Sequence, residues 1–539
     1  MVHYSQFQTT KDHAFNVYNA LIYCKIHGED MLVFDKGTYD FYYDKSTETL
    51  AHISNHDMHG LCRVAFLLEG MRNFTIDGGG STFLFHGCIT PFLLRNCHQV
   101  TLRHLTIDYP VTAALETIVT EVGSDYLDVL VQGQETYLVE HDYLYVTDPS
   151  GNKRAFRYVF VRSRDNQLAY VPEARDAWVK NEDVRVQDLG ERKLRLYNVN
   201  PGAVVGTNLT LRVFDTRQAC NVAITDCKDI SLLDLTMFNS YGMGVLAQKT
   251  ENVTVDGMLV KATNGRLNSL QADGTHFVHC KGLVKVVNSS FSEQLDDALN
   301  VHGIFTKIVD KTDDYILVQY MHFQATGIDI YQAGDTFCTL DPKSLIPTGS
   351  YEVAYAEVIN RNFTKIYVKG GTGKILVGDV VEDLTWSCDL LFENNRVFNN
   401  RARGLLIASK GKTVIRNNYF NTPGVAILFE SDGQFWFESG STTDVEISNN
   451  FFENCNYVTA WGKRTITVKP REVFNEGAYY HQYIQITGNR FKGHCNPLLY
   501  ADNIRELVFR DNVIEDHYGD AFALAVNCGS VSTDVAFSK

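Results

Sequence analysis

The chain has 539 residues, 45% of them hydrophobic and 21% charged, which excludes a disordered or collagen-like polymer and fits a globular protein with a large core. Its 49 Lys and Arg against 64 Asp and Glu leave a formal charge of -15, with no local basic patch, so nucleic acid is excluded as a partner. No apolar run approaches the roughly 18 residues of a membrane span.

At about 150 residues per domain, length alone allows three or four domains. The N-terminal Met1-Val-His-Tyr-Ser-Gln-Phe lacks the basic start and apolar core of a signal peptide. Residues 12–26 carry Ala14, Val17, Tyr18, Leu21 and Cys24 on one helical face, with Asp12 placed as a cap. A strand follows at Met31-Leu-Val-Phe34, and from there the sequence reads as almost wholly β. Twelve cysteines contain no C-x-x-C and no tight Cys/His cluster, so no zinc site is expected. Their scatter from Cys24 to Cys528 suits buried thiols rather than a disulfide framework.

The β region repeats. Phe392-Glu-Asn-Asn-Arg-Val, Ile415-Arg-Asn-Asn-Tyr-Phe, Ile447-Ser-Asn-Asn-Phe-Phe, Ile486-Thr-Gly-Asn-Arg-Phe and Phe509-Arg-Asp-Asn-Val-Ile share one pattern, with Asn395, Asn418, Asn450, Asn489 and Asn512 aligned. Their spacings of 23, 32, 39 and 23 describe a coil of 23 residues with loops inserted in some turns. Ile230, Val253 and Val284 begin the same unit earlier in the chain, as do Phe74 and Val100. Helical hairpin repeats need 33 residues or more, and the signature of leucine-rich repeats is missing. The reading is all-β: a right-handed parallel β-helix of three short strands per coil, its first coil capped by the helix. The recurrent Asn is expected in a left-handed turn position, its side chains bonding up the stack.

Two stretches interrupt the repeat with hairpin-like alternation. The first contains Tyr126-Leu-Asp-Val-Leu-Val and Tyr143-Leu-Tyr-Val-Thr before a turn at Asp148-Pro-Ser-Gly, the second Tyr315-Ile-Leu-Val-Gln-Tyr and Val377-Gly-Asp-Val-Val. Each is long enough for a small antiparallel β-barrel. The expected division is thus a β-helix start with its capping helix over 1–112, an inserted barrel over 113–216, central coils over 217–303, a second barrel over 304–385 and C-terminal coils over 386–539. Both inserts enter beside the central coils, where they can wall a cleft.

Those coils hold the densest acids, in Gln271-Ala-Asp273-Gly-Thr-His276 and Leu295-Asp296-Asp297-Ala-Leu-Asn300-Val-His302-Gly. Asp273 precedes Asp296 by 23 residues and Asp297 by 24, one coil in either case. Stacked side chains then lie about 5 Å apart and diagonal ones roughly 7–8 Å, inside the ~6.5–9.5 Å that an acid and a base need to admit a water. Period two puts Asp297 in phase with Leu299 and Val301, so it is expected at the strand's start, where it avoids a dry core. Three carboxylates this close cannot all ionise, so at least one pKa is expected to rise. The alternative is solvated turn residues, since Asp-Gly is a common turn dipeptide. Further candidates for binding sugar are Asn300 and His302 on the face of Asp296, Trp436 as an apolar platform with Glu438 two residues on, Arg403 and Glu430, and His276 as the residue orienting Asp273.

The two acid motifs resemble the central motif of glycoside hydrolase family 110, the exo-acting α-1,3-galactosidases. The likeness extends from Leu32-Val-Phe-Asp-Lys-Gly-Thr-Tyr through Arg403-Gly-Leu-Leu-Ile to Trp436-Phe-Glu438-Ser-Gly. It implies a secreted or periplasmic bacterial β-helix enzyme with two inserted barrels, hydrolysing terminal α-1,3-linked galactose with inversion. Asp273, Asp296 and Asp297 become the catalytic acids, and no metal or organic cofactor is needed. The substrate is an oligosaccharide or glycoconjugate capped by α-galactose, blood-group-B-like or linear, and the long β-helix flank offers a homodimer surface. A broader resemblance is to polygalacturonases, by which Asp296 protonates the leaving oxygen while Asp273 and Asp297 hold the water. That family's Gly-His-Gly and Arg-Ile-Lys motifs, which bind uronate, are not found, and this favours a neutral sugar. The competing readings are another β-helix polysaccharide hydrolase or lyase and a non-catalytic glycan-binding β-helix.

Overall fold

The computed structural model describes residues 1–539 apart from 58, 148–150, 152, 162–168, 171, 173–176, 179–182, 200, 214–216, 264, 463, 472–477, 494–497, 517–521, 525–526 and 539. The helix His13–His27 opens the fold: the Asp12 carboxylate accepts from the Ala14 N–H, and Gly28 closes it at φ 66, donating to the Cys24 carbonyl. Ala14, Val17, Ala20, Leu21 and Cys24 are buried against the end of the β-helix. Tyr18, expected on that face, is 45% exposed. It is one residue past Val17, and the buried stripe turns through Ala20 instead.

Behind the helix, parallel strands stack in register. One column runs Phe74, Val100, Ile230, Val253, Val284 and Leu390. Another runs Phe392, Ile415, Ile447, Ile486 and Phe509. These side chains join one core along the β-helix. A single coil contributes three strands, as in Leu405–Ala408, Lys412–Arg416 and Tyr419–Asn421. Two of them belong to a sheet of twenty strands and the third to a sheet of thirteen, counted among the described residues.

The bend between the paired strands is an asparagine ladder. The Asn395 N–H donates to Asn418 Oδ1 at 2.8 Å, Asn418 to Asn450 at 2.9 Å, Asn450 to Asn489 at 2.9 Å and Asn489 to Asn512 at 2.8 Å. Each of the upper members also donates from Nδ2 to a carbonyl of the neighbouring coil, as Asn450 does to Ile415 O. The left-handed position is not this residue but the one before it: Asn394, Asn417, Asn449, Gly488 and Asp511 have φ between 56 and 66. The first residue of each pair therefore makes the turn, and the second satisfies the buried backbone. Ten of the eleven described cysteines are buried, and several donate to the carbonyl of a neighbouring coil, as Cys97 Sγ does to Leu68 O at 3.3 Å.

The first insert, Ala114–Val213, is an antiparallel sheet of nine strands among the described residues, with its own core of Leu127, Val129, Leu194 and Leu209. Its two edges approach each other, the Val186 N–H donating to Asp142 O at 2.7 Å. The turn read at Asp148-Pro-Ser lies outside the described residues. The second, Thr306–Asp383, closes as a six-stranded antiparallel barrel. It sits on the outer face of the central coils, where Val278 packs into the barrel core while neighbouring Phe277 packs into the β-helix.

Candidate active site

Two adjacent parallel strands, Thr275–Val278 and Leu299–Ile304, carry the site, with Thr275 paired to Leu299 and Val278 to His302. Phe277, Leu299 and Val301 point inward; alternation therefore turns His276, Asn300 and His302 outward, beneath the second barrel. The acids precede the strands. The Gly274 N–H donates to Asp297 O at 2.8 Å, which makes Asp297, not Asp296, the direct coil neighbour of Asp273. Gly274 is there for closeness rather than for a turn, since a Cβ would lie 2.9 Å from the Ala298 carbonyl. This separates the Asp273-Gly pair from an ordinary solvated turn.

Asp273, Asp296 and Asp297 are 2%, 7% and 0% exposed, and their surroundings set them apart. Asp296 is pushed up by burial, but Arg401, Arg217, Arg403 and Arg212 outweigh that and hold it down at about 2. Arg217 donates to its Oδ2 at 2.9 Å, Arg401 lies 3.4 Å and Arg403 3.9 Å from Oδ1. Asp273 is driven up to about 7 by burial, with Asp296 adding repulsion against the pull of Arg217 and Arg403. Burial likewise pushes Asp297 well above the usual carboxylate range, although Arg403 Nε donates to its Oδ1 at 2.9 Å. Asp273 Oδ1 and Asp297 Oδ2 are buried without a hydrogen-bond partner among the described residues. The site thus sets one carboxyl held low by its arginines beside two pushed up by burial, the separation of pKa values that acid–base chemistry requires.

The other candidates divide. His276 Nδ1 lies 2.6 Å from Asp273 Oδ2, and its Nε2 lies 2.9 Å from His302 Nε2. Asn300 adjoins His276 across the sheet, its Oδ1 buried and without a partner among the described residues. Glu438 reaches to 3.6 Å from His302 Nε2, its strand Glu438–Ser439 pairing antiparallel with Gly303 and Ile304. Glu430 is raised by burial and opposed by Arg403. Trp436 is 38% exposed, outside every hydrophobic core, and its ring lies 5.0 Å from that of His322. The Asp432 carboxylate shapes that loop by accepting from the Gln434, Phe435 and Trp436 N–H groups.

Arg401, Arg217, Arg212, Asp57 and Gln324 escaped the sequence reading, and Arg403 was named there without its link to the acids. Arg401 and Arg403 lie one coil beyond the acid pair, because Leu299 pairs with Leu405; the inserted barrel stretches that coil to 106 residues and hides the period. Arg217 follows the first insert directly, a position the 23-residue spacing does not reach. Both inserts make contacts beside these residues. Arg212 of the first donates to Gln271 O, and Gln324 of the second donates to Asp57 Oδ1 at 2.6 Å, while the Arg217 N–H donates to Asp57 Oδ2 at 3.2 Å. Asp57 and Gln324 carried no motif.

Comparison with known proteins gives two family matches: the right-handed β-helix region over residues 384–538 and the GLAA-B β-barrel domain II over residues 315–381. The chain is 31% identical over 509 residues to α-1,3-galactosidase A of Shewanella woodyi, covering 92% of this chain and 82% of that one. It is 29% identical over 523 residues to α-1,3-galactosidase B of Bacteroides thetaiotaomicron, with the same coverages. A family 28 exopolygalacturonase structure from Yersinia enterocolitica matches with a TM-score of 0.42 at 12% identity, over 98% of this chain and 78% of that one.

Proposed function

This chain belongs to the α-1,3-galactosidase family, and on that premise we propose that it is an inverting exo-glycosidase of the family 110 type. It removes terminal α-1,3-linked galactose from an oligosaccharide or glycoconjugate. The observation that carries the mechanism is the charge separation within the acid trio: Asp296 clamped as an anion by Arg217, Asp273 buried and raised to about 7.

The proton on Asp273 goes to the glycosidic oxygen as the bond to the galactose C1 breaks. A water attacks C1 from the opposite face and yields its proton to the Asp296 carboxylate, while Asp297 holds that water. The product is β-galactose, and the protons return through solvent. This gives Asp273 and Asp296 roles opposite to those that the polygalacturonase likeness implies, because a carboxylate flanked by three guanidinium groups has no proton to give at working pH. Trp436 offers its face to a pyranose, and Asn300 and Glu438 offer acceptors for sugar hydroxyls.

Leaving-group dependence tests the assignment. Loss of a general acid or base costs about 10²–10⁴-fold. Asp273→Asn should suffer this on α-1,3-galactobiose but recover on α-galactosyl fluoride, whose fluoride departs without a proton; Asp296→Asn should fail on both. Recovery by Asp296→Asn instead would restore the polygalacturonase-like order, and turnover of polygalacturonate alone would remove the galactosidase reading.

A further inference from the structure

The hydrogen bonds leading away from Asp273 have only one arrangement of protons when both imidazoles are neutral. His302 Nδ1 lies 2.7 Å from the Gly303 carbonyl, which can only accept, so the His302 proton sits on Nδ1. Its Nε2 is then a bare acceptor. The atom facing it at 2.9 Å is His276 Nε2, which must therefore donate and carry the proton of that ring. That leaves His276 Nδ1 bare at 2.6 Å from Asp273 Oδ2, a distance at which one of the two atoms must hold a proton. The proton belongs to the carboxyl.

We propose that His302 is a positioning residue: its tautomer, fixed by the Gly303 carbonyl and passed on through His276, keeps Asp273 in its proton-donating form. The inference rests on Asp273 being the acid of the proposed hydrolysis. It differs from the sequence expectation, in which His302 binds sugar; at 5% exposure with both ring nitrogens engaged, His302 has no polar atom left for a hydroxyl.

The surroundings of the chain agree with a neutral His276. His276 is pushed well below its ordinary value by burial first and by His302 next; Arg217 acts in the same sense, against Glu438 and Asp296. His56, also buried, is held down to about 4, with Arg217 and His276 lowering it against Asp57. Asp273 itself faces Asp296, Arg217, Arg403 and His302. On the barrel side, Glu438 stands 3.6 Å from His302 Nε2, beyond hydrogen-bond reach, and His322 is held below its ordinary value by burial despite Glu438. Glu382, Asp383 and Lys410 border the crevice behind His302, and Lys410 Nζ is engaged with Glu382 at 2.7 Å.

Moving one proton along each of two hydrogen bonds, from Asp273 to His276 and from His276 to His302, would give an Asp273 carboxylate and a charged His302 without changing the net charge. The chain therefore decides where the proton rests, and the acceptor at His302 Nε2 is its control point.

The test uses the whole chain labelled with ¹⁵N-histidine. At pH 6 the His276 signals should show the proton on Nε2 and the His302 signals the proton on Nδ1; a proton on His276 Nδ1 would overturn the proposal. His302→Leu removes the acceptor and lets the His276 proton move to Nδ1, where it favours the Asp273 carboxylate. The alkaline limb of kcat should then fall by roughly one pH unit, the worth of one hydrogen bond, with KM little changed. His302→Gln, whose amide oxygen can accept from His276, should restore the limb. A limb unmoved in the Leu variant, or a change in KM alone, contradicts the inference. Absence of α-1,3-galactosidase activity in the unmodified chain would sink the proposed function while leaving the ¹⁵N pattern to be judged separately.

Discussion

Replacing Asp273 by Asn removes a titrating group and keeps its hydrogen-bond geometry, because the amide Nδ2–H can donate to His276 Nδ1 as the carboxylic acid does. Folding raises this carboxyl from its ordinary 3.8 to about 7. A folded-state value above the unfolded one means that stability is greatest below pH 3.8 and declines as pH rises to 7, since the native state then holds a proton the unfolded chain has released. At about 1.4 kcal/mol per pH unit for one proton, the burden on the native state reaches about 4 kcal/mol above pH 7. Between pH 5 and pH 8 the Asn variant should therefore gain about 3 kcal/mol over the unmodified chain, while losing turnover of α-1,3-galactobiose. Urea unfolding of both proteins at the two pH values reads this directly. An offset independent of pH, or one favouring the variant more at pH 5, would refute the raised carboxyl and with it the donor role of Asp273.

Other perturbations probe separate parts of the account. Asn450→Ala strips the middle of the ladder, where Nδ2 donates to Ile415 O and Oδ1 accepts from Asn418 N; the orphaned buried groups should cost about 2–5 kcal/mol in urea unfolding, with kcat unaffected in the folded fraction. Arg217→Met takes away the cation nearest Asp296, so its carboxylate should protonate more readily and the acid limb of kcat should move up by roughly one pH unit. Trp436→Ala should raise KM several-fold with kcat nearly constant, and leave the melting temperature in place because the ring belongs to no core.

The parts of the molecule legible in the sequence are those that repeat at short range. Asn395, Asn418, Asn450, Asn489 and Asn512 stand in one ladder because every coil must solve the same problem at the same bend. Asp273 and the Asp296–Asp297 pair were visible for the same reason, lying one uninterrupted coil apart. Arg401 and Arg403 occupy the next coil at the same place, but the barrel between them and the acids erased the spacing. Arg403 was singled out as a sugar-binding candidate rather than as a partner of the acids, and Arg401, Arg217 and Arg212 not at all. Their absence from the sequence reading misjudged the charge of Asp296, which no local pattern reveals. The asparagine turn shows the opposite limit: the pattern located the bend but not which of two adjacent residues takes the left-handed conformation, since Asn serves both roles.

The central claim is inverting hydrolysis of an α-1,3-galactoside by the buried acids, and the anomer first released tests it most directly. A proton NMR time course on α-1,3-galactobiose, begun before mutarotation sets in, should show β-galactose first, with no signal above background for Asp296→Asn. Release of α-galactose first would contradict inversion and require a covalent intermediate on one of the three carboxylates.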